Sequence, residues 1–197
     1  MSRLLLRCLQ AIAVTVACFI GPAQAAPPKE ISSVQWEQIQ TLRGIPSRPG
    51  LRNSPLYIFF DPNCPWCAKL FQPMQGKIFA SAMEAAWIPV TYMKQDSLGK
   101  GAALLRSGRF PALEANFKDF DFTKRSGSAR AVAPTSAEIT VLGKAKTVWQ
   151  NLGGATPMFV YRDKSGKYQA FLGLPTAERL SELLSTVSSN RLEPYQN

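Results

Sequence analysis

Residues 55–60 (PLYIFF) form an unbroken apolar and aromatic run, and only Asp61-Pro62-Asn63 separates it from Cys64-Pro65-Trp66-Cys67. A continuous apolar run of this length, bounded by turn residues, reads as a central strand buried on both faces. Proline at the second position of the cysteine motif suits the first turn of a helix, where its missing N–H would have had no partner. The two cysteines are therefore expected where a buried strand feeds a helix. A spacing of three puts the first sulfur at the helix start and the second about one turn inside.

Composition narrows the chemistry. None of the 197 residues is histidine. Serine–histidine relays, histidine general bases and the common zinc and facial-triad iron sites are all excluded within the chain. Four cysteines remain: Cys8, Cys18, Cys64 and Cys67. Two of them fall in a segment of a different kind. Arg3 and Arg7 precede a 13-residue apolar run (8–20), followed by Gly21-Pro22-Ala23-Gln24-Ala25. The run is shorter than the roughly 20 residues that span a bilayer. A charged start, an apolar middle and an Ala-x-Ala exit make residues 1–25 a cleavable export signal. Cys18 as an acylated lipoprotein cysteine is the lesser reading, because Thr15-Val16-Ala17 is a poor match and the apolar run continues past it. Cleavage after Ala25 removes two bases and no acid, leaving 172 residues and two cysteines and taking the net charge from +10 to +8. With no run of five like charges and no interleaving of aromatics with arginines, nucleic acid is not expected as a partner.

The remaining chain reads as one domain. Residues 26–54 are a short N-terminal segment and linker, with an amphipathic piece at 34–42 in which Val34, Ile39 and Leu42 share a face. After the 55–60 strand, a helix from Cys64 to about Phe79 is kinked by Pro73. A second strand follows at 87–93 (WIPVTYM). An insert at 97–135 carries helical pieces at 102–107 and 113–122, whose Leu113, Phe117 and Phe120 suit a satellite core. A helix at 136–152, capped by Ser136, places Ile139, Leu142, Ala145 and Trp149 on one stripe and closes at Gly153-Gly154. Strands at 158–161 and 168–172 flank a hairpin turn at Asp163–Gly166. Thr176 opens a last helix, and 191–197 is a tail. The order is α/β: a βαβ unit, a helical insert, then ββα, which is the thioredoxin-like arrangement over residues 55–190.

At the helix start, free amide N–H groups favour a thiolate on Cys64 well below the ordinary cysteine range. Cys64 is then the exposed nucleophile and Cys67 the inward, resolving thiol, while Trp66 offers an apolar surface beside the attacking sulfur. Zinc is not expected, since it wants four ligands and the exported chain has two thiols. A static staple is not expected either, because so short a loop stabilises little. No metal or cofactor is called for.

The segment FFDPNCPWCAKLFQPM resembles the active-site run of the periplasmic Dsb thiol–disulfide interchange proteins, closest to the DsbG and DsbC branch. The segment LGGATPMFVYRDKSGKYQAFLGLPTAERL is similar to that branch's threonine–cis-proline strand, hairpin and Gly-Leu-Pro lead into the last helix. The resemblance implies Cys64 as attacking cysteine, Cys67 as resolving cysteine and a redox-active Cys64–Cys67 disulfide. It implies Pro157 as a cis-proline facing the pair, with Thr156 binding substrate backbone beside it and Pro65 and Trp66 at the same surface. The implied partners are exported proteins with cysteines and a membrane thiol reductant of the DsbD type, in the periplasm. In two respects the chain differs. Residues 26–54 are too short for the branch's dimerisation domain and linker helix, so a monomer is expected. The position six residues before Cys64, where thioredoxin keeps a buried acid, is Ile58, so no carboxylate on this strand is expected to serve the resolving thiol. A redox-insensitive holdase or assembly factor, using the fold as a binding module, is the alternative.

Overall fold

The computed structural model describes residues 27–47, 54–71 and 84–188. The export signal, the 48–53 linker, the expected continuation of the cysteine helix past Pro73 and the 191–197 tail lie outside the described residues. A six-stranded sheet runs in the order β1-β6-β5-β3-β4-β2. Its strands are β1 (Lys29–Glu30), β2 (Ile45–Pro46), β3 (Leu56–Phe60), β4 (Ala85–Pro89), β5 (Met158–Arg162) and β6 (Tyr168–Leu172). β3 and β4 are parallel, as the βαβ unit requires, and β5 and β6 form an antiparallel hairpin beside β3. The described helices are α1 (Ser33–Gln40), α2 (Pro65–Phe71), α3 (Ser97–Ser107), α4 (Phe110–Lys118), α5 (Ser136–Asn151) and α6 (Ala177–Thr186).

β3 is buried at every position, and its alternation divides the core. Leu56, Ile58 and Phe60 face α2, α3, α4 and α6, whereas Tyr57 and Phe59 face α1 and α5. Leu113 and Phe117 of α4 and Phe120 just beyond it join the main core on the first face rather than a satellite: Phe117 packs edge-on to Phe60 with ring centroids 5.7 Å apart and lies 4.9 Å from Phe71.

Several boundaries differ from the sequence expectation for identifiable reasons. Residues 29–46 are part of the sheet, as two short edge strands and a helix between them. In that helix Val34 is 60% exposed and Trp36 is the inward residue beside Ile39, stacked on Tyr168 at 4.8 Å and edge-on to Tyr57 at 5.3 Å. β4 ends at Pro89: Val90 still donates to Phe60 of β3, but beyond it the Tyr92 and Met93 N–H groups turn to the Asp61 carboxylate. α4 stops at Lys118, four residues short of the expected end. α5 is capped by Thr135, not Ser136, through a reciprocal capping box with Glu138. Ile139 is 49% exposed, and Val148 completes the buried stripe of Leu142, Ala145 and Trp149.

Candidate active site

The cysteine pair sits at the C-terminal end of β3, where the chain turns through Asp61-Pro62-Asn63 into α2. Cys64 is the residue before the helix, and its carbonyl accepts from Ala68 N–H at 3.1 Å. Both cysteines are free thiols. Cys64 is buried, contrary to the exposed nucleophile expected, because the Thr156 segment lies over its sulfur. The Cys64 thiol is 3.5 Å from the Thr156 carbonyl, and Sγ receives the Thr156 hydroxyl at 3.3 Å and the Cys67 N–H at 3.2 Å. Thr156–Pro157 is a cis peptide, so the segment at the head of β5 faces the pair. Trp66 is 52% exposed, with the Lys69 ammonium 4.5 Å from its ring centroid. Pro65 is half-buried beside it.

The two thiols occupy opposite electrostatic situations. Cys64 is held below the ordinary thiol value, first by its hydrogen bond with the Cys67 side chain, then by the Thr156 hydroxyl and the Cys67 and Trp66 N–H groups, against a burial penalty. Cys67 is pushed far up, first by complete burial, then by the neighbouring Cys64 sulfur, with the charge of Asp61 acting in the same direction. A sulfur that ionises early lies one helical turn from one that holds its proton.

Sequence reasoning passed over the residues that build the floor of this site. Asp61 is fully buried just beyond the end of β3. Its carboxylate accepts from Asn63 N–H (2.8 Å), Ser97 Oγ–H (3.0 Å), Tyr92 N–H (2.8 Å) and Met93 N–H (3.0 Å). Burial still pushes its pKa up, with these donors opposing. Strand β3 itself carries no carboxylate, but one stands at its tip. Asn63 donates to Asp96 (2.9 Å) and Ser97 (3.0 Å) and accepts from the buried Lys100 ammonium (2.9 Å). Asn116 of α4 donates to the Pro62 carbonyl at 3.0 Å. The helical insert thus clamps Asp61-Pro62-Asn63 from beneath. The only sequence-level hint was a run of polar residues directly after a buried strand, a place where buried polar groups need partners.

Over the site, Tyr92 Oη lies 2.7 Å from Thr156 Oγ1, and its ring packs against Trp149 with centroids 4.5 Å apart. Trp149 Nε1–H donates to the Ala155 carbonyl at 2.6 Å, bracing the loop before the cis-proline. Among the described residues no cluster of three or more acidic, cysteine or histidine side chains could hold a metal ion.

The fold of the chain is shared with several solved structures. A periplasmic thioredoxin-like protein from Salmonella enterica serovar Typhimurium superposes with a TM-score of 0.55 at 18% identity, over 80% of this chain and 97% of its own. ScsC of Proteus mirabilis in a transitional conformation gives a TM-score of 0.55 at 17% identity, covering 77% of this chain and 76% of that one. A disulfide interchange protein from Neisseria gonorrhoeae gives 0.51 at 16%, over 73% and 94%. In sequence, the thiol:disulfide interchange protein DsbG of Pseudomonas aeruginosa is 27% identical over 131 residues, 66% of this chain and 50% of the relative. The chain has a thioredoxin-like fold and is similar in sequence to a DsbG thiol:disulfide interchange protein. No family model matches it. The match spans half the length of the DsbG relative.

Proposed function

We propose that this chain is a periplasmic thiol–disulfide oxidoreductase, working as an isomerase or reductase on cysteines of exported proteins through Cys64-Pro65-Trp66-Cys67. The observation that supports it is the asymmetry of the pair: Cys64 is stabilised as a thiolate by four hydrogen-bonding groups, and Cys67 is kept protonated by burial one turn away. The Cys64 thiolate attacks one sulfur of a substrate disulfide. The substrate S–S bond breaks, a Cys64–substrate disulfide forms, and the departing substrate thiolate takes a proton from solvent. Cys67 then loses its proton and attacks Cys64 Sγ, releasing the second substrate thiolate. The substrate gains two electrons and Cys64–Cys67 becomes the disulfide. If instead a different substrate cysteine thiolate attacks the substrate sulfur of the mixed disulfide, a new substrate disulfide forms, Cys64 leaves as the thiolate, and the bond is rearranged with no net change in electrons.

In this reading Thr156 and Pro157 bind an extended substrate backbone beside Cys64, and Pro65 and the exposed Trp66 give the apolar surface on which it rests. Burial of Cys64 means that substrate binding must part the Thr156 segment from the sulfur. A membrane thiol reductant of the DsbD type returns the pair to the dithiol, export is through residues 1–25, and the protein works as a monomer. The test is trapping: Cys67→Ala accumulates mixed disulfides with exported proteins on non-reducing gels, whereas Cys64→Ala traps little. Equal trapping by both variants, or retention of the biological activity in the Cys64→Ser, Cys67→Ser double variant, would overturn it, the latter in favour of a binding module.

A further inference from the structure

Tyr92 belongs neither to the cysteine motif nor to the Thr156–Pro157 segment, yet it is held at three points over the site. Its backbone N–H is bound by Asp61 Oδ2 at 2.8 Å, its ring rests on Trp149 at 4.5 Å, and its hydroxyl lies 2.7 Å from Thr156 Oγ1. Trp149 also holds the Ala155 carbonyl at 2.6 Å, so one indole fixes both partners of the Tyr92–Thr156 contact. Thr156 Oγ1 donates to Cys64 Sγ at 3.3 Å. A threonine hydroxyl has a single proton. When that proton points at the sulfur, the bond between the two hydroxyls can run only from Tyr92 to Thr156.

The geometry points to Tyr92 as a positioning residue for Cys64: its phenol donates to Thr156 Oγ1, and this orients the only proton of Thr156 onto the Cys64 sulfur. The role rests on the reading of Cys64 as the attacking thiol. Donation from Tyr92 also polarises the Thr156 hydroxyl, making it a better donor to a thiolate. The relay keeps its direction while the phenol keeps its proton, and burial pushes that pKa up to about 12. Other titratable groups act on the sulfur pair by different routes. Cys67 reaches Cys64 directly from α2, and the Asp61 charge acts on Cys67 from the end of β3. Lys69 of α2 is turned over the Trp66 ring. Tyr92 is distinguished by acting through Thr156.

That dependence supplies the test. Alkylation of Cys64 in the fully reduced protein is followed against pH, with the modified peptide read by mass spectrometry, in Tyr92→Phe, Thr156→Val, the double variant and Thr156→Ser. Phenylalanine keeps the ring on Trp149, so Tyr92→Phe is expected to fold. On the acid side of the profile, Thr156→Val lowers the rate roughly tenfold, by loss of a hydrogen bond to a charged group. Tyr92→Phe lowers it roughly two- to threefold and moves the profile to higher pH. The double variant matches Thr156→Val, because Tyr92 has nothing left to act through, and Thr156→Ser preserves the Tyr92 effect. An unchanged profile in Tyr92→Phe, or a Tyr92 effect that persists on the Thr156→Val background, overturns the relay. A merely structural role would lower the melting temperature and leave the profile in place, which also overturns it. Failure of the wild-type protein to exchange disulfides would instead count against the proposed activity and leave the alkylation result intact.

Discussion

Lys100→Met tests whether the helical insert holds the cysteine loop in place. The Lys100 side chain is 6% exposed, and its ammonium donates to Asn63 Oδ1 (2.9 Å), Ser126 Oγ (2.7 Å) and the Gly127 carbonyl (2.8 Å) while pairing with Asp96 at 3.1 Å. Methionine keeps most of the stem's packing, so the loss is confined to the charge and its bonds. Breaking a buried ion pair costs ~3–5 kcal/mol. Asp96 is 41% exposed and remains hydrated after the change, which places the effect at the lower end, about 3 kcal/mol. For a domain of this size, that lowers Tm by roughly 6–12 °C. The comparison is Lys167→Met, which breaks an ion pair with Glu30 in which both side chains are more than half exposed. An exposed pair of that kind is screened by solvent and contributes little to stability. Thermal and urea unfolding of the two variants give the stability difference. Amide exchange at Asn63 and Cys64, whose N–H groups bind Asp61, reports the loop itself. The reasoning is refuted if Lys100→Met melts no lower than Lys167→Met, or if it melts lower while exchange at Asn63 and Cys64 is unchanged.

Three further outcomes follow from the same contacts. Gly127→Ala should destabilise the fold and disturb the loop before Cys64, because an added Cβ would collide with the Asn116 side-chain amide and the Pro62 carbonyl; unchanged unfolding in urea would contradict this. Glu138, bound side-on by Arg106 at 2.7 and 2.9 Å, has its pKa lowered from 4.5 to about 2, chiefly by that guanidinium. Its folded value lies below its unfolded one, so its contribution is complete above pH 4.5 and is lost as the pH falls towards about 2. Melting curves across that window should fall more steeply for the wild type than for Glu138→Gln, and parallel curves would contradict the assignment. Phe117→Ala should cost ~3–5 kcal/mol by opening a cavity between Phe60 and Phe71, and a loss under about 1 kcal/mol would show that α4 is not part of the main core.

Periodicity and punctuation in the sequence were enough to determine the central strand, the strand–cysteine–helix junction, the β5–β6 hairpin and the thioredoxin-like order of elements. These rest on local rules: a two-face buried strand must be apolar throughout, and a hairpin needs its turn residues. The pairing of Cys64 with Thr156 was legible only through resemblance, since 92 residues separate them. Tertiary structure decided which side chains close the site. Asp61, Asn63, Lys100 and Asn116 are ordinary polar residues in sequence. They become a clamp only because the insert folds under the β3–α2 turn and leaves each buried group to find its partner there. Likewise Val34 and Ile139 stood at helical spacing but face solvent, because helix rotation is set by what the opposing surface accepts: Trp36 against Tyr57 and Tyr168, Val148 and Trp149 against the sheet. Burial of Cys64 has the same origin. Its place at a helix start is local, but the lid over its sulfur is brought from the head of β5 by strand pairing, and no pattern near the cysteine records it.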